Sequence, residues 1–264
     1  MEYIGYFASI LIGVVLGLIG GGGSILTIPV LVYLFKINPE NATSYSLFIV
    51  GIAAMVGSYR HYKLGNLKIK SALVFAIPSV VSMLFIRKMI LPIIPSEIFW
   101  IKNFVVSKNL LIMVVFAVLM IAASISMIKK STSQSDILKV INYKKLAIIG
   151  FLIGLITGFL GAGGGFLIIP ALLFFGNLSM KQAVGTSLLI IFINSAIGFS
   201  GDVISEVSIN YQLLFSISAI AIMGMLIGTA LSKKIDGAKL KPAFGWFVLI
   251  MGIYIITKEL FFPK

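Results

Sequence analysis

"GLIGGGGSILTIP", Gly17–Pro29, places four consecutive glycines within a long uncharged stretch and ends in proline. Glycine costs about 1 kcal/mol per residue relative to alanine inside a helix, so these glycines do not serve helix stability. As a single helix the uncharged stretch at positions 3–35 would be about 48 Å long, well beyond a hydrocarbon core of about 30 Å. The sequence therefore predicts that the chain is interrupted or folds back at Gly20–Gly23.

The composition is that of a membrane protein. Of the 264 residues, 59% are hydrophobic and 11% are charged, and the mean hydropathy is +1.13. A soluble domain of this size could not bury so much apolar surface. Helices satisfy their own backbone hydrogen bonds in lipid, and the sequence lacks the short alternating segments of a barrel, so we predict an all-α polytopic membrane protein. Positions 3–35, 71–86, 109–128, 146–180, 182–201, 207–232 and 242–257 contain no Asp, Glu, Lys, Arg or His.

The sequence also repeats itself. A shift of 141 positions aligns Leu11–Gly57 with Leu152–Gly198 without a gap, and the matches include glycines and a proline that low complexity would not align by chance. We therefore predict two homologous repeats, each a glycine-broken or re-entrant helix pair followed by three transmembrane helices. The predicted division is membrane repeat 1 at 1–128, a cytoplasmic linker at 129–145 and membrane repeat 2 at 146–264.

The loop charges predict the topology. The net charge is +13, but the basic residues lie in short loops between apolar spans, which indicates orientation in a membrane rather than binding to nucleic acid. If each glycine-broken segment crossed once, Lys and Arg would divide about 11 to 10 between the two sides, whereas hairpins give about 14 to 7. The hairpin interpretation makes the repeats inverted. It places loops 60–70, 129–145 and 233–241 in the cytoplasm and both termini outside, with the first segment kept as a helix rather than cleaved as a signal peptide.

The glycine motifs resemble those of a known family. "GLIGGGGSILTIPVL" (17–31) and "GFLGAGGGFLIIPALL" (158–173), followed by "NATSYSL" (41–47) and "QAVGTSL" (182–188), are similar to the TauE/SafE family of membrane permeases. "YRHYKLGNLKIK" (59–70) is similar to that family's basic loop. The resemblance implies transport of a small anion, such as sulfite, another sulfur oxyanion or an organosulfonate, across the plasma (inner) membrane. The first repeat departs from the pattern at Tyr45, where the second repeat has Thr186, so we expect a polar contact of Thr186 to lack a counterpart.

The two glycine breaks predict a binding site. Unwound backbone at membrane depth is tolerated only where it is buried in protein or lines a cavity, and a half-helix N-terminus at about Ser24 or Phe166 favours an anion. His61 and its aligned residue Asp202, together with Arg60, are the candidates for coupling or gating. The alternatives are that the glycines serve close helix packing, that the hydroxyls bond a carbonyl one turn back, and that Asn194 bonds another helix. The predicted substrate-binding residues are Gly20, Gly21, Gly22, Gly23, Ser24, Ser46, Gly161, Gly163, Gly164, Gly165, Thr186, Ser187 and Asn194.

These features predict a secondary permease for a small anion that is not an enzyme. The uncharged stretches lack the acidic residues of a cation pathway, a single histidine argues against an intramembrane serine hydrolase, and no Walker A motif is present. No metal or cofactor is predicted, and the expected partners are the anion and the lipid bilayer. A permease for a small carboxylate and a scaffold or assembly subunit that transports nothing remain alternatives, and a homodimer stays open.

Overall fold

The computed structural model describes residues 2–95, 97–101, 104–128, 141–160, 165–204, 209–235 and 237–261. Within them the chain forms a bundle of α-helices and one antiparallel β-hairpin. The helices are α1 (Glu2–Ile19), α2 (Gly22–Pro29), α3 (Pro39–Lys63), α4 (Ile69–Phe85), α5 (Lys108–Ile128), α6 (Tyr143–Leu160), α7 (Gly165–Phe174), α8 (Met180–Ile204), α9 (Tyr211–Ser232) and α10 (Gly237–Phe261). One turn of π-helix extends α2 over Val30–Leu34 and α4 over Ile86–Ile90, and the strands are β1 (Glu97–Ile101) and β2 (Phe104–Ser107).

Five of the described helices are long and apolar enough to cross a membrane, namely α3, α4 with its π turn, α5, α8 and α9. Large apolar side chains cover the outside of the bundle. Phe7 is 65% exposed, and Ile77 and Ile250 are each 63% exposed. Contiguous exposed apolar surface marks contact with lipid rather than water. The prediction of a helical membrane protein is confirmed.

The β-hairpin is the exception to the all-α prediction. It connects α4 to α5, and its strands carry the β-branched and aromatic residues that favour extended backbone, in "EIFWI" and "FVVS". Glu97 pairs with Ser107 across it. Because this short segment joins two spans at one end of the bundle, it does not alter the helical core.

The first glycine break is a re-entrant hairpin rather than a kink. Gly20 has a φ of +80°, a conformation that side chains rarely permit, and the chain reverses there. The ring of Phe35 consequently packs edge-on against that of Tyr6, with centroids 5.4 Å apart. A Cβ on Gly23 would lie only 2.6 Å from the carbonyl oxygen of Ile12, so α2 runs antiparallel to α1 at very short distance.

Helices from before and after the linker pair with one another. In α1, Gly13 contacts Ala221 and Gly17 contacts Gly228, so α1 runs parallel to α9. In α6, a Cβ on Gly150 would lie 2.5 Å from the carbonyl oxygen of Phe75, and the following glycines meet the next turns of α4. These glycines serve close backbone packing, as the alternative interpretation of the glycines proposed.

The two longest central helices, α3 and α8, cross antiparallel. A Cβ on Gly57 would lie 3.1 Å from Cδ1 of Leu188, and one on Gly198 would lie 3.1 Å from Cδ1 of Leu47. Both contacts join the same two aligned positions, because Gly57 aligns with Gly198 and Leu47 aligns with Leu188. The α3–α8 pair therefore places aligned residues at opposite ends of the molecule.

The bundle has two chemically different ends. At the basic end, α3 and α9 finish and α4, α6 and α8 begin, and the Lys70 ammonium lies 4.6 Å from the Tyr143 ring centroid. At the opposite end, α1 and α3 begin, α4 and α8 finish, and the Tyr33 hydroxyl donates to Glu259 at 2.7 Å. The basic residues described at this end include Arg60, Lys63, Lys68, Lys70, Lys144, Lys145, Lys181, Lys233 and Lys234.

Candidate functional site

The tip of the first hairpin lies in the interior, against the beginning of α7. A Cβ on Gly165 would lie 2.9 Å from Cα of Gly21, and one on Gly21 would collide with the Gly165 carbonyl oxygen. Gly20 to Ser24 are all buried. The glycines therefore bring two backbone segments, one from each half of the sequence, into direct contact where no side chain would fit.

This tip presents the N-terminus of α2. Gly21 is the N-cap and offers no side-chain cap, so the first-turn N–H groups at Gly22 to Ser24 have no side-chain acceptor at the cap. Backbone N–H groups at a helix N-terminus and the positive end of the helix dipole suit an anion. The Ser24 hydroxyl donates to the Gly21 carbonyl at 2.7 Å, which fixes the turn.

The predicted site residues from the second half come partly to this tip. The Ser187 hydroxyl donates to the Val184 carbonyl at 2.9 Å and lies 3.2 Å from the Gly20 carbonyl oxygen. Its aligned residue Ser46 is fully buried, and its hydroxyl has no hydrogen-bond partner in the described part of the chain. Gly161, Gly163 and Gly164 lie outside the described residues.

Thr186 and Tyr45 make equivalent contacts. The Thr186 hydroxyl oxygen accepts a hydrogen bond from the Lys68 backbone N–H at 3.1 Å, just before α4. The Tyr45 hydroxyl oxygen accepts one from the Asn210 N–H at 2.6 Å, just before α9. The expectation that Tyr45 lacks a counterpart contact is therefore wrong, because its longer side chain reaches the corresponding loop.

Asn194 links two helices within the core. Its Nδ2 donates to the Ser79 hydroxyl at 2.9 Å, which joins α8 to α4. Its Oδ1 and the hydroxyl of the adjacent Ser195 are buried and lack a partner among the described residues. Asn194 thus serves helix contact with one atom and keeps an unused acceptor with the other.

A cavity opens above the hairpin tip at the basic end. This vestibule has a volume of about 270 Å³, and Leu18 and Val184 form its floor. Val184 lies directly against the tip, since a Cβ on Gly20 would be 2.8 Å from Cα of Val184. The polar residues of the vestibule are His61, Asn66, Lys181, Ser232 and Lys233.

The wall and mouth of the vestibule carry further candidates from the sequence. His61 is only 2% exposed, and neither ring nitrogen has a hydrogen-bond partner within the described chain. A wider depression of about 480 Å³ shares Leu64 and Lys233 with the vestibule and is lined by Arg60 and Lys63. Basic side chains thus line the surface between the outside of the basic end and Val184, which packs against the hairpin tip.

The opposite end holds a buried ion pair. Arg87 Nε donates to Asp202 Oδ1 at 3.0 Å, and Nη2 donates to Asp202 Oδ2 and, at 3.3 Å, to the Ser44 hydroxyl. The side chains of Arg87 and Asp202 are only 7% and 12% exposed. Arg87 Nη1 is buried without a partner in the described residues.

Arg87 was not among the site residues predicted from the sequence, and the expectation that no charged residue lies within the membrane spans is wrong at this end, where Arg87 and Asp202 belong to two of them. The uncharged stretch 71–86 stops one residue short of Arg87, which therefore looked like a loop residue. The π turn extends the helix to Ile90 and carries Arg87 into the protein. Two features of the sequence could have indicated the pair: Arg87 directly follows the apolar stretch 71–86, and Asp202, one of few acidic residues, directly follows the stretch 182–201.

Known proteins resemble this chain over most of its length. The family model described as sulfite exporter TauE/SafE matches residues 6–255. A probable membrane transporter protein of Xylella fastidiosa is 28% identical, covering 94% of this chain and 92% of its own length. The probable membrane transporter protein YdhB of Bacillus subtilis is 26% identical (93% and 96%), and one of Haemophilus influenzae is 27% identical (94% and 95%).

Proposed function

Because the chain belongs to the sulfite exporter TauE/SafE family of membrane transporters, we propose that it is a secondary permease for a small anion, a sulfur oxyanion or organosulfonate such as sulfite, in the plasma membrane. One observation carries this proposal. The uncapped N-terminus of α2 lies at a buried glycine tip directly beneath a basic vestibule.

The chemistry of this path favours an anion. Lys181 and Lys233 line the vestibule, and no carboxylate is among its described lining residues. Clefts lined by one sign of charge concentrate ions of the opposite sign. Within the site, backbone N–H groups and hydroxyls can replace the hydration shell of an oxyanion without a fixed counter-charge that would slow its release.

The substrate site we propose lies where the two glycine segments meet. It comprises the N–H groups at the tip, Ser187 and its aligned residue Ser46, and the buried Ser195 hydroxyl beside Asn194, which can donate to an anion whereas Asn194 Oδ1 can only accept. We propose that Thr186 binds the anion by donating its hydroxyl hydrogen, because its oxygen already accepts a hydrogen bond from the Lys68 backbone N–H.

The topology we propose has the basic end in the cytoplasm and both termini outside. The antiparallel α3–α8 pair and the exchanged pairs α1–α9 and α6–α4 support inverted repeats. In secondary transporters, inverted repeats place a substrate site near the midplane between two alternately opened ends. The excess of basic residues at one end supports the cytoplasmic assignment of that end.

The test is transport by the purified protein in liposomes. We expect exchange of radiolabelled sulfite or a short alkanesulfonate, with sulfate, thiosulfate and acetate compared in parallel. Gly21→Leu should abolish exchange while the protein still elutes as a folded particle. Gly65→Asn is the control, since nothing lies within 4 Å of a Cβ on Gly65 and asparagine tolerates its positive φ.

Exchange of acetate alone would assign the protein to small carboxylates. Absence of exchange for all these anions, in a protein that is folded and inserted, would overturn the proposed permease and favour a scaffold.

A further inference from the structure

Two aligned residues occupy opposite ends of the central helix pair. His61 lies near the end of α3 and lines the open vestibule, whereas Asp202, its aligned residue, lies near the end of α8 and is bound by Arg87. The same position of the fold is therefore open at one end and closed by an ion pair at the other.

The neighbours of these residues correspond as well. A Cβ on Gly185 would lie 2.9 Å from Cβ of His61, and Ser44, which aligns with Gly185, accepts from the Arg87 guanidinium beside Asp202. At the opposite end, Arg87 thus joins three helices, α3, α4 and α8, across the place that corresponds to the vestibule.

From these contacts we propose that the Arg87–Asp202 pair is the gate that closes the substrate path at the opposite end while the vestibule is open. The inference rests on the proposed permease function. A transporter must keep one end closed while the other is open, and the structure places its one described buried ion pair of two nearly inaccessible side chains at the end without the vestibule.

The chemistry of the pair suits reversible closure. A bidentate guanidinium–carboxylate pair has a defined geometry, but the cost of desolvating two charges offsets much of their attraction. Hydration of both groups when the end opens therefore compensates for the lost contact. Hydrophobic closure would lack this compensation.

Arg87 also gives the gate a way to respond to substrate. Its Nη1 has no partner within the described residues, and the carboxylate of Asp202 occupies the other nitrogens. An oxyanion with two or more oxygens competes for the same guanidinium, because sulfonate and carboxylate both accept from its planar fork. The arriving anion thereby weakens the hold of Asp202.

The experiment measures access rather than transport. Ser46→Cys is the reporter, because Ser46 is fully buried two residues from Ser44 and the chain has no native cysteine. A membrane-impermeant thiol reagent is applied to oriented vesicles from the side that labels a Glu97→Cys marker. We expect Asp202→Asn and Arg87→Gln each to raise the labelling rate of the reporter at least about tenfold.

Three further variants separate the gate from general loosening. The double exchange Arg87→Asp with Asp202→Arg should restore slow labelling, and Arg87→Lys, which keeps the charge but loses the fork, should be intermediate. Glu40→Gln removes a second ion pair described at this end, with Lys108, and should leave labelling unchanged.

Unchanged labelling in Asp202→Asn and in Arg87→Gln or Arg87→Lys, with normal elution, would overturn the gate. An equal rise in Glu40→Gln would do so too, by showing that any lost ion pair loosens this end. Because the labelling uses no transported anion, it can contradict the proposed gate while sulfite exchange is intact. Equally, absent exchange can contradict the proposed permease while the labelling supports the gate.

Discussion

The basic end and the opposite end use aligned positions differently, and the difference comes from very few side chains. His61 has no hydrogen-bond partner among the described residues and shares its cavity with two lysines, whereas Asp202 is held by an arginine that also bonds a serine. The backbone around both is built alike, as the exchanged contacts of Gly57 and Gly198 show. The comparison teaches that the helices place corresponding positions at the two ends, and that on our proposal the charged side chains at these positions determine which end is closed.

The largest loss of transport is expected from a change at the hairpin tip, which lies between the two ends of the bundle. Gly165→Leu forces a side chain against Gly21, and we expect loss of anion exchange by about 100-fold or more, since a displacement of about 1 Å can by itself cost such a factor. The loss is measured as anion exchange in liposomes, with Gly65→Asn as the control. Full exchange in Gly165→Leu would show that the tip is not on the substrate path.

The equivalence of the two halves is tested at Thr186 and Tyr45. Thr186→Val and Tyr45→Phe each leave one backbone N–H, at Lys68 or Asn210, without its acceptor, and should cost about 1–3 kcal/mol of stability. Thermal unfolding in detergent measures both, and the two losses should be similar. A loss of anion affinity by Thr186→Val beyond that of Tyr45→Phe would reveal a substrate contact made by Thr186 alone.

A smaller effect should distinguish the vestibule from the rest of the basic end. Lys181→Gln should lower the initial rate of uptake from the vestibule side several-fold at low salt and hardly at all at high salt, because exposed charges act through a screened field. Lys234→Gln, at the same end but not in the vestibule lining, is the matched control. Equal effects of the two variants would assign the attraction to the whole surface instead.

The smallest effect is expected at the second ion pair of the opposite end. Glu40 is half exposed, so its bond to Lys108 should contribute no more than about 1 kcal/mol. Thermal unfolding of Glu40→Gln measures this contribution. A loss as large as that of Asp202→Asn would remove the distinction between a gate and a structural ion pair.

The sequence predicted the features that depend on local chemistry. Gly20–Gly23 interrupt a stretch too long to span the membrane, and the loop charges favoured a hairpin there over a kinked crossing. The contact of Tyr6 with Phe35 agrees with that preference. Which glycines pack helices and which form the tip was not predictable, because Gly17 and Gly21 differ only in what lies opposite them in the folded protein.

The features that sequence reasoning missed depend on distant partners. Arg87 becomes an interior residue only because a π turn prolongs α4 and because Asp202, 115 positions away, supplies its counter-charge. Tyr45 likewise replaces Thr186 only because a loop 165 positions away lies within reach of its longer side chain. Neither relation leaves a periodic signal in the sequence.

The exchange of partners between early and late helices has a consequence for biosynthesis. The face of α1 that carries Gly13 and Gly17 fits against α9, which is made about two hundred residues later. At roughly 5–20 residues per second, this interface waits about 10–40 s for its partner. During that interval the face of α1 that carries these glycines lacks its partner, so the packed bundle of this membrane transporter forms only after α9 has been made.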